Sequence, residues 1–282
     1  MATTAVRYRD ATVQANGLNF HYLEWGDPDA PTIVCLHGLR GHGHTWDAFA
    51  EGMCDDYRLI CIDQRGRCFS DWALDGDYST ISMAADLRGI THNLGLSNFM
   101  LVGHSMGSKN SMMYTSTYPD TVSRLVLVDL PPGRTPDGPR IAQELAKVPE
   151  EFDDFEALYS YMRKENTRPP EAVLRNRLKY QTMELPNGKL GWRYDPEVRA
   201  QWRSGRASEY VDLWPALPRI PCPTLVVRGM ETDALLPEVA AQMVEMLPKG
   251  ELAEVEGAHH MVMEENPPGF TQAVRDFLTR NP

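Results

Sequence analysis

Five short runs, PTIVCLHG, YRLICIDQRG, NFMLVGHS, VSRLVLVDL and CPTLVVRGM, constrain the fold of this chain more than any other feature. Their apolar residues follow one another instead of alternating with polar ones, the pattern of strands buried on both faces, and such strands belong to parallel sheets. Parallel neighbours need crossovers, and helical spacing lies between the runs: Met83, Leu87, Ile90 and Leu94 recur at three and four residues before a stop signal at Gly95. The expected fold class is α/β, a mostly parallel, doubly wound sheet with right-handed connections. The opening ATVQANGLNFHYLEWG reads as an antiparallel edge hairpin turned at Asn16-Gly17. At the other end, Phe270, Ala273, Val274, Phe277 and Leu278 share one helical face that packs on the sheet.

The strand pattern breaks after Leu130. PPGRTPDGPR is rich in breakers, and the next segment carries Phe152, Phe155, Leu158 and Met162 at helical spacing with no buried strand run. Residues 131–213 are therefore expected to be a helical insertion, with 1–130 and 214–282 forming one core domain. A chain of 282 residues suits a single large core carrying such an insertion.

Charge and cysteine usage narrow the setting. A net charge of −11 opposes nucleic acid and anionic membrane surfaces, so a neutral or apolar small molecule is the expected partner. No apolar run is long enough to cross a bilayer, and MATTAVRYRDATVQ lacks a secretory apolar segment, which together point to the cytoplasm. Cys35, Cys54, Cys61, Cys68 and Cys222 make an odd count without CxxC spacing, as expected of reduced, buried thiols.

Within NFMLVGHSMGSKN, Ser105 falls where a buried strand ends and a helix begins, between Gly103 and Gly107. A sharp strand-to-helix turn needs flanking residues without bulk and lifts the hydroxyl clear of the sheet, while the helix start aims free N–H groups at developing negative charge. A serine nucleophile needs a base and a group that orients the base. Asp233 follows the CPTLVVRGM strand, and His259 and His260 follow ELAEVEGAHHM, so a serine, acid, histidine order is present.

Gly103-His104-Ser105-Met106-Gly107, the strand ending His37-Gly38-Leu39, the loop Gly229 to Asp233 and Gly257-Ala258-His259-His260 together resemble the α/β-hydrolase family over nearly the whole chain. The resemblance implies an eight-stranded sheet with a helical cap after the sixth strand. It implies Ser105 as nucleophile, Asp233 as orienting acid, His260 as general base, and the backbone N–H groups of Leu39 and Met106 as the oxyanion hole. Asp129, at the end of VSRLVLVDL, stands where some relatives carry the acid instead, and otherwise caps the loop entering the insertion. Alignment selects His260 over His259. The usual RGHGxS turn reads here Arg65-Gly66-Arg67-Cys68-Phe69-Ser70, so a loop beside the pocket is rebuilt.

Other signals are weaker. His42 and His44 hint at a metal site, but Trp46 and Asp47 stand where a carboxylate and a histidine are needed, so no metal is expected. The glycines at 38, 41 and 43 miss the dinucleotide spacing and Lys109 lies outside a phosphate-loop frame, so no cofactor is implied. His37 is expected to hold the loop before Leu39. Trp46, Trp192 and Met261, with Trp72 and Tyr194, are candidates to line an apolar cleft, each also readable as packing. The expected activity is a serine hydrolase cleaving a small, largely apolar carboxylic ester or lactone. Carbon–carbon hydrolysis or perhydrolysis by the same triad, a binding protein with a vestigial triad and a metallohydrolase are the rivals.

Overall fold

The computed structural model describes residues 7–134, 147–204 and 211–281. Each apolar run becomes a strand: β1 Tyr8–Ala15, β2 Leu18–Trp25, β3 Thr32–Leu36, β4 Arg58–Ile62, β5 Phe99–His104, β6 Val122–Val128, and, beyond the insertion, β10 Thr224–Gly229 and β11 Gly250–Val255. They form one eight-stranded sheet in the order β1-β2-β4-β3-β5-β6-β10-β11, with β2 antiparallel to both neighbours and the other pairs parallel. The hairpin closes through two residues, Asn16 at φ 50° and Gly17 at φ 80°, with Ala15 opposite Leu18. Both positive φ values fit a primed turn, which asparagine and glycine tolerate best.

Alternation along the strands feeds two cores. Val34, Leu36 and Leu101 face one layer with α2 (Thr80–Asn93) and α3 (Met106–Thr117). Ile33, Cys35, Met100 and Val102 face the other, with α1 (Asp47–Met53) and the C-terminal α9 (Pro267–Arg280). The C-terminal helix buries Phe270, Val274, Phe277 and Leu278 as its spacing predicts. All five cysteines are buried free thiols. No helix among the described residues is long and apolar enough to cross a membrane.

Most of the breaker-rich connection lies outside the described residues. The rest of the insertion holds β7 (Glu151–Phe152), α4 (Phe155–Glu165), α5 (Glu171–Gln181), β8 (Thr182–Glu184), β9 (Leu190–Trp192) and α6 (Pro196–Arg203). Helices make up most of the described insertion, and β7, β9 and β8 add a small antiparallel sheet that the spacing does not predict. Strands of two or three residues are too short to show a period of two. A third apolar cluster, including Leu158, Met162, Leu174, Leu178 and Trp192, joins this segment to Tyr78 and Met83 of the core, with Leu39 and Met106 at its edge.

Candidate active site

Ser105 sits at φ 53° and ψ −118° between the end of β5 and the first residue of α3. A non-glycine residue there carries strain of about 1–3 kcal/mol, held by the surrounding contacts. Ser105 N–H donates to Val128 O at 3.0 Å. The flanking glycines are steric necessities. A Cβ on Gly107 would lie 2.1 Å from Leu36 O, and one on Gly103 would lie 2.4 Å from Gly107 O. The absence of both lets α3 pack directly against the sheet, and Ser108 Oγ–H locks the arrangement by donating to Gly103 O at 2.6 Å.

His260 reaches this hydroxyl from three strands away. The loop after β11 folds back across the end of β10, so closely that a Cβ on Gly229 would lie 2.3 Å from His259 O and 2.4 Å from Ala258 O. His260 Nε2 then stands 3.0 Å from Ser105 Oγ, and its Nδ1 stands 2.9 Å from Asp129 Oδ2. With Nδ1–H donating to the carboxylate, Nε2 is free to accept the serine proton. Asp129 follows β6 directly, at φ 53°, and its side chain is fully buried. Its Oδ2 also accepts from Thr232 Oγ–H at 2.7 Å, and its Oδ1 from Gly229 N–H at 3.3 Å. These donors hold the carboxylate in its acceptor role.

The structure thus brings Ser105 and His260 together but corrects the pairing with Asp233. That side chain is 54% exposed and faces His259, whose Nε2 is 3.3 Å from Asp233 Oδ1. The inward position of the same turn belongs to its neighbour Thr232, which is buried against Asp129. His259 does not meet Ser105 because it turns outward to Asp233.

Leu39 follows β3 and Met106 opens α3, where the N–H groups of a first turn have no intrahelical acceptor. Gly38 lies against the elbow, since a Cβ on it would be 3.1 Å from Ser105 Cβ. His37 holds the loop as expected, its Nδ1–H donating to Gly38 O at 2.7 Å and its Nε2 accepting from Gln64 N–H at 3.0 Å. Burial pushes His37 down to about 4. His104, missed by sequence reasoning, donates Nε2–H to His260 O at 2.9 Å, and its ring lies 4.8 Å from that of His260. Burial, reinforced by His260, holds His104 well below 6.5, so it stays neutral and steadies the base through its backbone.

The other candidates separate. Trp46 is corrected: it is fully buried in the core beneath α1 and α9, with ring centroids 6.0 Å from Phe49 and 6.2 Å from Phe270, because the 3-10 turn Gly43–Trp46 points it inward. Trp192 lines a cavity of about 630 Å3 with Trp72, Met183, Leu185 and Tyr194, none of them a triad residue. Met261 is half-buried just after His260 and begins the short helix α8 (Val262–Glu265). His42 Nε2 bonds Arg177 O at 3.1 Å and His44 stacks on Tyr180 at 3.4 Å, both seams between core and insertion.

Comparison with known proteins agrees. Residues 31–267 match the family model of the alpha/beta hydrolase fold. The mouse sn-1-specific diacylglycerol lipase ABHD11 is 30% identical over 272 residues, 93% of this chain and 85% of the relative. N-formylmaleamate deformylase of Pseudomonas putida is 29% identical over 266 residues, 94% of this chain and 95% of the relative. The crystal structure of E-2-(acetamidomethylene)succinate hydrolase gives a TM-score of 0.87 at 25% identity, covering 96% of this chain and 99% of that one. A match of that extent, on a sheet whose fifth strand leads into a strained serine, makes the conclusion plain: this chain belongs to the α/β-hydrolase family.

Proposed function

We propose that the protein is a serine hydrolase that cleaves a carboxylic ester or lactone through an acyl-enzyme on Ser105. The observation that carries this reading is the continuous relay from Ser105 Oγ through His260 to the buried carboxylate of Asp129. Ser105 Oγ attacks the carbonyl carbon as its proton passes to His260 Nε2. The carbonyl π electrons move to oxygen, where the N–H groups of Leu39 and Met106 receive the charge. The tetrahedral species collapses, the bond to the leaving oxygen breaks, and His260 returns the proton to that oxygen. Water, deprotonated by His260, then releases the acid and restores Ser105. Asp129 keeps the imidazole in the required tautomer and stabilises its cation. The relatives act, by their names, on molecules as different as a diacylglycerol and a formylated maleamate, so the substrate is argued below from this chain's own residues.

Intact-mass analysis after treatment with a fluorophosphonate tests the nucleophile before any substrate is known. One adduct, mapped to Ser105 and absent from Ser105→Ala, is expected. Full turnover and labelling in correctly folded Ser105→Ala would overturn the reading.

A further inference from the structure

Five arginines, Arg65, Arg67, Arg177, Arg199 and Arg228, are buried among the described residues. A buried guanidinium normally needs a carboxylate, and four of these have one: Asp86, Glu264, Glu150 and Glu254 lie beside Arg65, Arg177, Arg199 and Arg228. Arg67 has none in ion-pair contact among the described residues. It donates to two carbonyl oxygens, Arg65 O at 2.8 Å and Leu39 O at 3.4 Å, and reaches Met106 Sδ at 3.6 Å. Its guanidinium stands 5.1 Å from the centre of the Tyr78 ring, and the Tyr78 hydroxyl donates onward to Asp195. Arg67 therefore touches both Leu39 and Met106, the two residues proposed above as oxyanion donors.

Arg40 adds a second such cation, one residue beyond Leu39. Its Nη1 is buried with no hydrogen-bond partner, while its carbonyl is held by Gln181 Nε2 at 2.6 Å. Arg177, Arg199, Tyr161 and Tyr194, all from the insertion, surround it electrostatically. Burial, with Arg177 adding to it, brings Arg40 down to about 10, and burial does the same for Arg67. Both remain charged at neutral pH. A chain of net charge −11 has gathered two cations without an ion-pair partner where the insertion meets the loop of Leu39, with Asp195 reached from Arg67 only across the Tyr78 ring. Such a field selects an anion from solution.

We infer that the substrate of the serine site carries a carboxylate in its acyl part, held beside the reacting carbonyl by the guanidinium of Arg40 with Arg67 behind it. This inference rests on the acyl-enzyme reading above. A planar fork of N–H donors matches a carboxylate in bidentate fashion, and the bound anion supplies the missing counter-charge. It also replaces the expectation of a neutral, largely apolar substrate, which came from the charge of the whole chain.

The test separates this inference from the reading beneath it. Ser105→Ala protein is titrated by calorimetry with monoethyl glutarate, diethyl glutarate and inorganic phosphate. The monoester is expected to bind at least about tenfold tighter than the diester, the difference to collapse in Ser105→Ala/Arg40→Gln and to return in part with Arg40→Lys. In parallel, wild-type kcat/KM is compared for the 4-nitrophenyl monoester of glutaric acid and for 4-nitrophenyl butyrate, with Arg40→Gln expected to reduce the ratio. Equal binding of the two glutarates, tighter binding of phosphate, or an unaltered ratio in folded Arg40→Gln overturns the carboxylate inference. Failure of Ser105 to take a fluorophosphonate overturns the acyl-enzyme reading instead, whatever the titrations show.

Discussion

Replacing Asp129 by asparagine changes the shape of the side chain least and the chemistry most. Oδ2 accepts from His260 Nδ1–H and Thr232 Oγ–H, and Oδ1 accepts from Gly229 N–H. An amide nitrogen must occupy one of these places. At Oδ1 it would confront a backbone N–H that cannot turn away. At Oδ2 it meets a hydroxyl that can rotate and an imidazole that can change tautomer, so it settles there. His260 then carries its proton on Nε2 and has no lone pair for Ser105. The same tautomer error in a serine triad costs about 10^4-fold in kcat, or about 5.5 kcal/mol in the barrier. Asp233→Asn removes the charge of a half-exposed side chain that meets His259 and not His260, and pairs of that kind contribute about 1 kcal/mol or less to stability, so its kcat should stay within about twofold. Steady-state turnover of a 4-nitrophenyl ester, with circular dichroism to confirm folding, reads both variants. The reasoning is refuted if Asp233→Asn loses as much as Asp129→Asn, or if Asp129→Asn falls by less than about tenfold.

Three further outcomes follow from the same geometry. Ser105→Gly should unfold at higher urea than Ser105→Ala, by about 1–2 kcal/mol, because only glycine relieves the backbone at φ 53°; equal midpoints would remove the strain. Gly107→Ala puts a methyl 2.1 Å from Leu36 O, a backbone atom that cannot yield, and should cost more than about 2 kcal/mol together with fluorophosphonate labelling at Ser105. Acid should destabilise the fold early. Burial lowers His37 to about 4 and His42 to about 3, and His104 falls well below 6.5. The unfolded chain thus takes up their protons first and stability drops as pH falls below 6.5. Burial raises Glu264 to about 7 and works the other way, its contribution declining as pH rises from 4.5. Three depressed histidines outweigh Glu264 and, toward the upper end of the window, His21, which, against burial, its carboxylate partners Asp63 and Asp10 raise; stability should climb with pH between about 4.5 and 6, by about 2–3 kcal/mol per pH unit at its steepest, and urea midpoints that stay flat over this window would contradict the burial of these rings as neutral groups.

What could be read from the chain were features that repeat or that leave a local mark. The parallel strands were legible because burial on both faces forbids alternation, and the elbow because two glycines must flank it. The acid was not. Both Asp129 and Asp233 follow strands and both satisfy a serine, acid, histidine order, so order cannot choose between them. The choice is made by how far the loop bearing His260 folds back over β10, which depends on the bare Gly229 and on Thr232 rather than Asp233 turning inward. Trp46 was misread for a similar reason: its position after the oxyanion loop suggested a wall, but a 3-10 turn rotates it into the core. Arg67 was marked only as part of an altered turn and Arg40 not at all, because an arginine held out of ion-pair contact is recognisable only once its neighbours are known.

The rebuilt turn at Arg65–Ser70 gives these facts a common cause. Cys68 N–H donates to Arg193 O at 2.8 Å, Asp195 N–H donates to Gly66 O at 2.9 Å, and Arg67 pairs with Tyr194 in a β-bridge. Phe69 lies beneath the Arg193 guanidinium at 4.6 Å. The turn carries an isolated β-bridge that ties the insertion to the core by its backbone. Cys68 at φ 49° occupies the place of a usual small residue, and its Sγ–H reaches Tyr180 O at 3.4 Å, a contact glycine could not make. The residue between Gly66 and Cys68 is then forced inward, and it is Arg67, set against Leu39 and Met106. A substitution in the insertion that broke this bridge would therefore move a cation beside Leu39 and Met106, the proposed oxyanion donors. The insertion is thus tied to the core at this turn as well as at the seams of His42, His44 and Arg40.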